Sequence, residues 1–78
     1  MSKFVDVHHL GNYTDEELKR FQDLPVDEYG VKILNIMYNR STGISFYVFE
    51  APNAKAVEKH HKKYGVECNW ITEVRTTA

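Results

Sequence analysis

The chain has little of what small proteins use to reinforce a thin core. Its 78 residues include one cysteine, Cys68, which excludes a disulfide framework and a cysteine-based structural zinc site. A lone thiol suits a reducing interior. No apolar run approaches the about 18 residues of a membrane span, and the start, "MSKFVDV", lacks the apolar stretch of a secretory signal. The expectation is one soluble, cytoplasmic domain over residues 1–78. No charge sign dominates: the net charge is −1, and the only basic concentration is Lys55, Lys59, Lys62 and Lys63, interrupted by Glu58. Nucleic-acid binders usually carry a clear basic excess, so this class is disfavoured. A glycine-rich phosphate loop, a nucleotide fingerprint and an activated Ser or Cys triad are all missing.

What is present is patterned. In "KFVDVHHL", Phe4, Asp6 and His8 alternate with Val5, Val7 and His9, which predicts a strand. Thr14 and Glu17 make a capping box that opens a helix, with Leu18 and Phe21 on its buried stripe and Pro25 ending it near Leu24. "VKILNIMYN" and "ISFYVFEA" are β-rich and flank the hairpin connection "RSTG". "NAKAVEKHHKKYG" reads as a helix capped by Asn53 and stopped by Gly65, and "NWITEV" as a last short strand.

The order is β-α-β-β-α-β. Right-handed crossovers turn it into a ferredoxin-like α+β sandwich: a four-stranded antiparallel sheet, order 4-1-3-2, with both helices on one face. Tyr38, Tyr47, Phe49 and Trp70 are too many large rings for the helix side alone, so some are expected on the open face. An apolar open face on a domain this small points to a homodimer packed sheet to sheet, which adds the burial the single chain lacks.

All four histidines fall in two doublets, His8-His9 and His60-His61. Neighbours on a strand point to opposite faces, and neighbours on a helix lie about 100° apart, so each doublet gives one residue to any one site. Ala54, Val57, His61 and Tyr64 follow a buried-seam spacing, which turns His61 toward the sheet and His60 to the flank. His9 shares the face of Val5 and Val7, the helix-covered face if those valines are core. In this topology the first strand and second helix end at the same edge, bringing His8 or His9, His61, Cys68 and Tyr38 or Asn39 together. Glu50 ends its strand at the opposite edge, which leaves Asp6 as the carboxylate to consider. Two imidazoles with a carboxylate or thiolate form a borderline-soft site suited to nickel, zinc or copper.

"FVDVHH", "FYVFEAPNAKAVEKHH" and "ITEV" together resemble a family of small ferredoxin-like proteins, mostly of unassigned function, with a nickel-binding branch. The matching residues are Asp6 and His8 (Asp-x-His), Glu50-Ala51-Pro52, His61 and Glu73-Val74. The resemblance implies a homodimer and a metal site using His8 and His61, with Asp6 as its carboxylate. The family often carries a histidine inside its first helix, where this chain has "FQDLP". Strand packing favours His9 as the companion of His61, and the family pattern favours His8; His8 is the expected ligand and His9 the fallback.

Two other functions use the same architecture. A dimeric α/β-barrel protein could bind a small ligand on the open sheet face, or act as a cofactor-free enzyme with Asp6 and His8 as an acid/base pair. An RNA-recognition module would stack bases on aromatics of its first and third strands, but here the first strand pairs Phe4 with an aspartate on the same face. An acylphosphatase is excluded, because "HHLGNYTDEE" has no arginine to hold phosphate.

Overall fold

A computed structural model describes residues 1–66 and 70–77; the expected contribution of Cys68 lies outside them. The elements are β1 (Ser2–His9), α1 (Asp15–Asp23), β2 (Lys32–Asn39), β3 (Ile44–Ala51), α2 (Ala54–Lys63) and β4 (Ile71–Val74). The strands form one antiparallel sheet in the order β2-β3-β1-β4, the ferredoxin-like arrangement read from its other edge.

Local chemistry explains the boundaries. The Thr14 hydroxyl accepts from the Glu17 N–H and the Glu17 carboxylate accepts from the Thr14 N–H, so two of the free N–H groups at the start of α1 are satisfied. Pro25 has no N–H to continue the helix, which stops at Asp23 with Leu24 as its cap. Asn53 caps α2 by accepting from the Ala56 N–H. The β2–β3 hairpin closes through a Gly43 N–H to Asn39 carbonyl bond at 2.9 Å, with Gly43 at φ +70°, a conformation that disfavours any side chain.

Both helices cover one face of the sheet. Phe4, Ile33, Ile36, Phe49, Leu18 and Val57 form its core, each 8% exposed or less. Strand register carries this face across the sheet: Phe4 pairs with Phe49, Asp6 with Tyr47, and His8 with Ser45. The helix-facing side of β1 is therefore Phe4, Asp6 and His8, while Val5 and Val7 line the open face and are only half-buried. This corrects the expectation that the valines are core. A large ring, not two small branched residues, fills the space beneath the helices, and the aspartate follows it inward.

The ring placements also differ from expectation. Tyr47 and Phe49 lie on the helix side, and Tyr38 reaches Asp15 of α1 at 2.7 Å. A register shift between Ile33 and Asn35 sets this, because it keeps Ile36 facing inward opposite Tyr47 and Tyr38 opposite Ser45. The open face owes its apolar character to Val5, Val7, Met37, Ile44, Phe46 and Val48 instead. Among the described residues, no helix is long and apolar enough to cross a membrane.

Candidate metal centre

β1 delivers two of the three groups of the site. Its alternation puts Asp6 under the helices, completely buried, and His8 two residues further toward the rim. α2 delivers the third. Val57 and His61 are one turn apart on the same helix face and are 0% and 3% exposed. Ala54 and Tyr64, expected to extend that seam, are exposed, because the buried stripe runs through Ala56 and Val57.

A helical side chain leans toward the N-terminus of its helix, so the His61 ring lies back over the preceding turn. There Nδ1 meets the Val57 carbonyl at 2.7 Å. A carbonyl only accepts, so Nδ1 carries the proton. In the neutral ring the Nε2 lone pair is then free and aimed away from the helix.

That nitrogen faces Asp6 Oδ2, within hydrogen-bond reach, and His8 Nε2 at 3.1 Å. His8 Nε2 stands 2.8 Å from the same Asp6 oxygen. One carboxylate oxygen and two imidazole nitrogens therefore converge on a single point. The other carboxylate oxygen, Oδ1, is buried with no hydrogen-bond partner among the described residues. Native interiors seldom leave such an atom unpaired.

Electrostatics couple these groups. Burial works to raise the Asp6 carboxyl, but hydrogen bonds from His61 and His8, and their positive charge, prevail and hold it below its ordinary range. Burial likewise works against a charged His61. The Asp6 hydrogen bond, the Val57 carbonyl and the Asp6 charge outweigh it and raise His61 above the ordinary imidazole range. With no cation present, a proton on His61 Nε2 bridges to the Asp6 carboxylate.

The donor set fits a divalent transition ion. Two histidines and one carboxylate are the borderline ligands such ions take, with coordination positions left open. Donors about 2.1 Å from one ion and at right angles to each other lie about 3 Å apart, close to the 2.8 and 3.1 Å separations here. An ion would also supply the charge that a buried carboxylate with an unpaired oxygen lacks.

The expected site residues therefore separate. Asp6, His8 and His61 come together, while His9 is exposed and outside the cluster. Packing had favoured His9 only because Val5 and Val7 were taken as the inner face. The acid/base pair imagined on the open sheet face is likewise corrected, since Asp6 and His8 lie beneath the helices. Phe4, needed on the open face for base stacking, is 3% exposed under the same helices. Tyr38 and Asn39 are not among the three converging residues, and Glu50 pairs with Lys3 and Lys32 far from them.

Two features escaped the sequence reading. His60 is not a bystander: its Nδ1 donates to Asp27 Oδ2 at 2.6 Å, and both side chains are largely buried. Asp27 lies in "PVDEYG", where its Oδ1 accepts from the Tyr29 and Val31 N–H groups at 2.9 Å. An aspartate closing a turn onto the residue two further on was the available signal. The second feature is Tyr47, whose ring meets His8 edge-on with centroids 5.0 Å apart. Burial, then Tyr13 and Asp6, push its phenol up to about 12, so it remains a hydroxyl donor at neutral pH.

Comparison with known proteins gives one result. The chain belongs to the family described as nickel responsive protein SCO4226-like, whose model matches residues 4–74. No curated protein and no solved structure matches it.

Proposed function

We propose that this member of a nickel responsive family is a small cytoplasmic protein that binds a divalent transition ion, nickel in the first instance, through Asp6, His8 and His61. The observation that carries the reading is the His61 ring. Its Nδ1–H is committed to Val57, so Nε2 offers its lone pair to the point where Asp6 Oδ2 and His8 Nε2 also aim. A bound ion would supply Lewis-acid chemistry there. The chain's part is to fix the two rings, screen Asp6 from water and hold the site at the rim of the sheet. Zinc and copper compete for the same donors, because the affinity of nitrogen and oxygen sites rises along the divalent series to copper.

Calorimetric titration with Ni²⁺, Zn²⁺ and Cu²⁺ on wild type and on His61→Ala tests the proposal. Wild type takes one ion per chain and His61→Ala loses that binding. Equal affinity in the two proteins, or no binding by either, rejects it.

The same reading includes a homodimer formed through the open sheet face. Phe46 and Met37 are 42% and 46% exposed there, beside Val5, Val7 and Val48, an unusual apolar expanse for an isolated small domain. Light scattering on Phe46→Glu checks it: a dimeric wild type becomes monomeric, and an unchanged mass removes that face from the assembly.

A further inference from the structure

A cavity of about 470 Å³ opens between the helices and the sheet, next to the triad. Its volume falls in the range of small-molecule sites, about 300–1,000 Å³. The walls are mainly rings and aliphatic groups: Tyr13 and Phe21 at the α1 side, Tyr47 and Phe49 from β3, Leu24 and Val66 at the mouth.

Among the polar groups on this wall, which include His9 and the Tyr13 and Tyr64 hydroxyls, two stand out. His60 lines the cavity with its Nδ1–H given to Asp27, whose other oxygen is filled by the Tyr29 and Val31 N–H groups. The ring is therefore locked in one orientation, and the Nε2 of its neutral form is a bare acceptor with no partner among the described residues. Tyr47 also lines the cavity, and its hydroxyl makes no hydrogen bond to a described residue. A largely apolar chamber that offers an oriented acceptor and a hydroxyl donor is built like a ligand site, where polar groups fix orientation and rings supply contact area.

We propose that this cavity binds a small hydroxylated aromatic molecule of the phenol class. Its ring packs among Phe21, Tyr13 and Phe49, its hydroxyl donates to His60 Nε2, and the Tyr47 hydroxyl donates to a ligand oxygen. Its two polar contacts, His60 and Tyr47, lie outside the triad. A ligand seated here would nonetheless touch the wall that holds His8 and His61.

The test is NMR titration of metal-free protein, kept in chelator, with naphthol and with naphthalene. Naphthol gives saturable shifts at Phe21, Leu24, Tyr47 and Val66. Naphthalene, lacking the hydroxyl, binds about five- to tenfold more weakly, the effect of one net hydrogen bond. Tyr47→Phe, which keeps the ring and the packing, weakens naphthol by a similar factor. Leu24→Trp, confirmed folded by circular dichroism, fills the mouth and abolishes binding. Absence of saturable binding overturns the proposal, as do shifts confined to Val5, Val7 and Phe46 on the open face. So does equal binding of naphthol and naphthalene with no effect of Tyr47→Phe. Because the titration contains no metal, failure here leaves the metal result untouched, and failure of metal binding leaves this one untouched.

Discussion

His60 and His61 are adjacent on one helix, and each meets a buried aspartate, yet the two pairs are built for different ends. At Asp27 every oxygen is used: Oδ1 accepts two backbone N–H groups and Oδ2 accepts the His60 Nδ1–H. At Asp6 one oxygen is crowded by two imidazole nitrogens while the other has no partner among the described residues. The first is a closed account of donors and acceptors, the pattern of a tether between α2 and the turn before β2. The second is under-satisfied for protein groups, and the proposed cation would complete it. A buried aspartate–histidine contact is thus not informative by itself. What separates structure from site is the fate of the remaining lone pairs.

The largest expected effect breaks the comparison if the two pairs respond alike. Asp6→Asn removes the ligand charge and lowers Ni²⁺ affinity about 100-fold or more, beyond what outer-shell changes usually cost. Asp27→Asn, in the turn before β2, leaves the affinity within about threefold. Calorimetry on both proteins decides it, and comparable losses would mean the second pair positions the first.

Stability without metal should show the reverse ranking. Asp27→Ala strips three hydrogen bonds and leaves buried N–H groups unpaired, at a cost of about 2–4 kcal/mol. Asp6→Asn, though at a more buried position, removes a carboxylate that carries an unpaired oxygen. At neutral pH it also gives up the charge pairing with His61 and His8, so it costs metal-free stability about 1–2 kcal/mol, less than the loss at Asp27. Urea denaturation in chelator measures both. A milder test touches only the turn that holds Asp27. Gly30, at φ +80°, donates to the Asp27 carbonyl, and a Cβ there would meet Pro52 at 3.3 Å. Gly30→Ala is expected to cost about 1 kcal/mol or somewhat more, with Ni²⁺ affinity unaltered.

Much of this was legible beforehand, and the exceptions have physical causes. The capping box, the hairpin glycine and the β-α-β-β-α-β order fix element positions through local chemistry and chain handedness, and both can be read along the chain. The convergence of a β1 histidine with His61 followed from topology alone. The inner face of β1 did not, because period-2 alternation defines two faces without saying which is buried. Val5 and Val7 looked like the core side, and a buried aspartate at position 6 runs against residue preference. The register shift in β2 reassigned Tyr38 in the same silent way. Asp27 sits in a loop with no periodicity, so its meeting with His60, 33 positions away, needed coordinates.

Proton linkage gives the smallest effect and the finest contrast. Asp6 and Asp27 are both held below the ordinary carboxyl range, so each contributes stability above about pH 4 that is lost as pH falls through its depressed value. The acid limb of metal-free stability therefore belongs to both pairs, and Asp27→Asn removes only part of it. The alkaline limb is different. His61 is raised, so its contribution is full below about pH 6.5 and fades as pH climbs through the raised value. Thermal melts between about pH 6 and 9 in chelator should decline by no more than about 1.4 kcal/mol per pH unit from this group. His61→Gln flattens that limb, whereas Asp27→Asn leaves it in place. With Ni²⁺ in excess the slope reverses, because the deprotonated Nε2 is the form that binds a cation and the ion stabilises the fold more as the proton leaves. An alkaline decline that survives in His61→Gln, or a slope indifferent to nickel, would assign the titration to another group and take the triad's coupling with it.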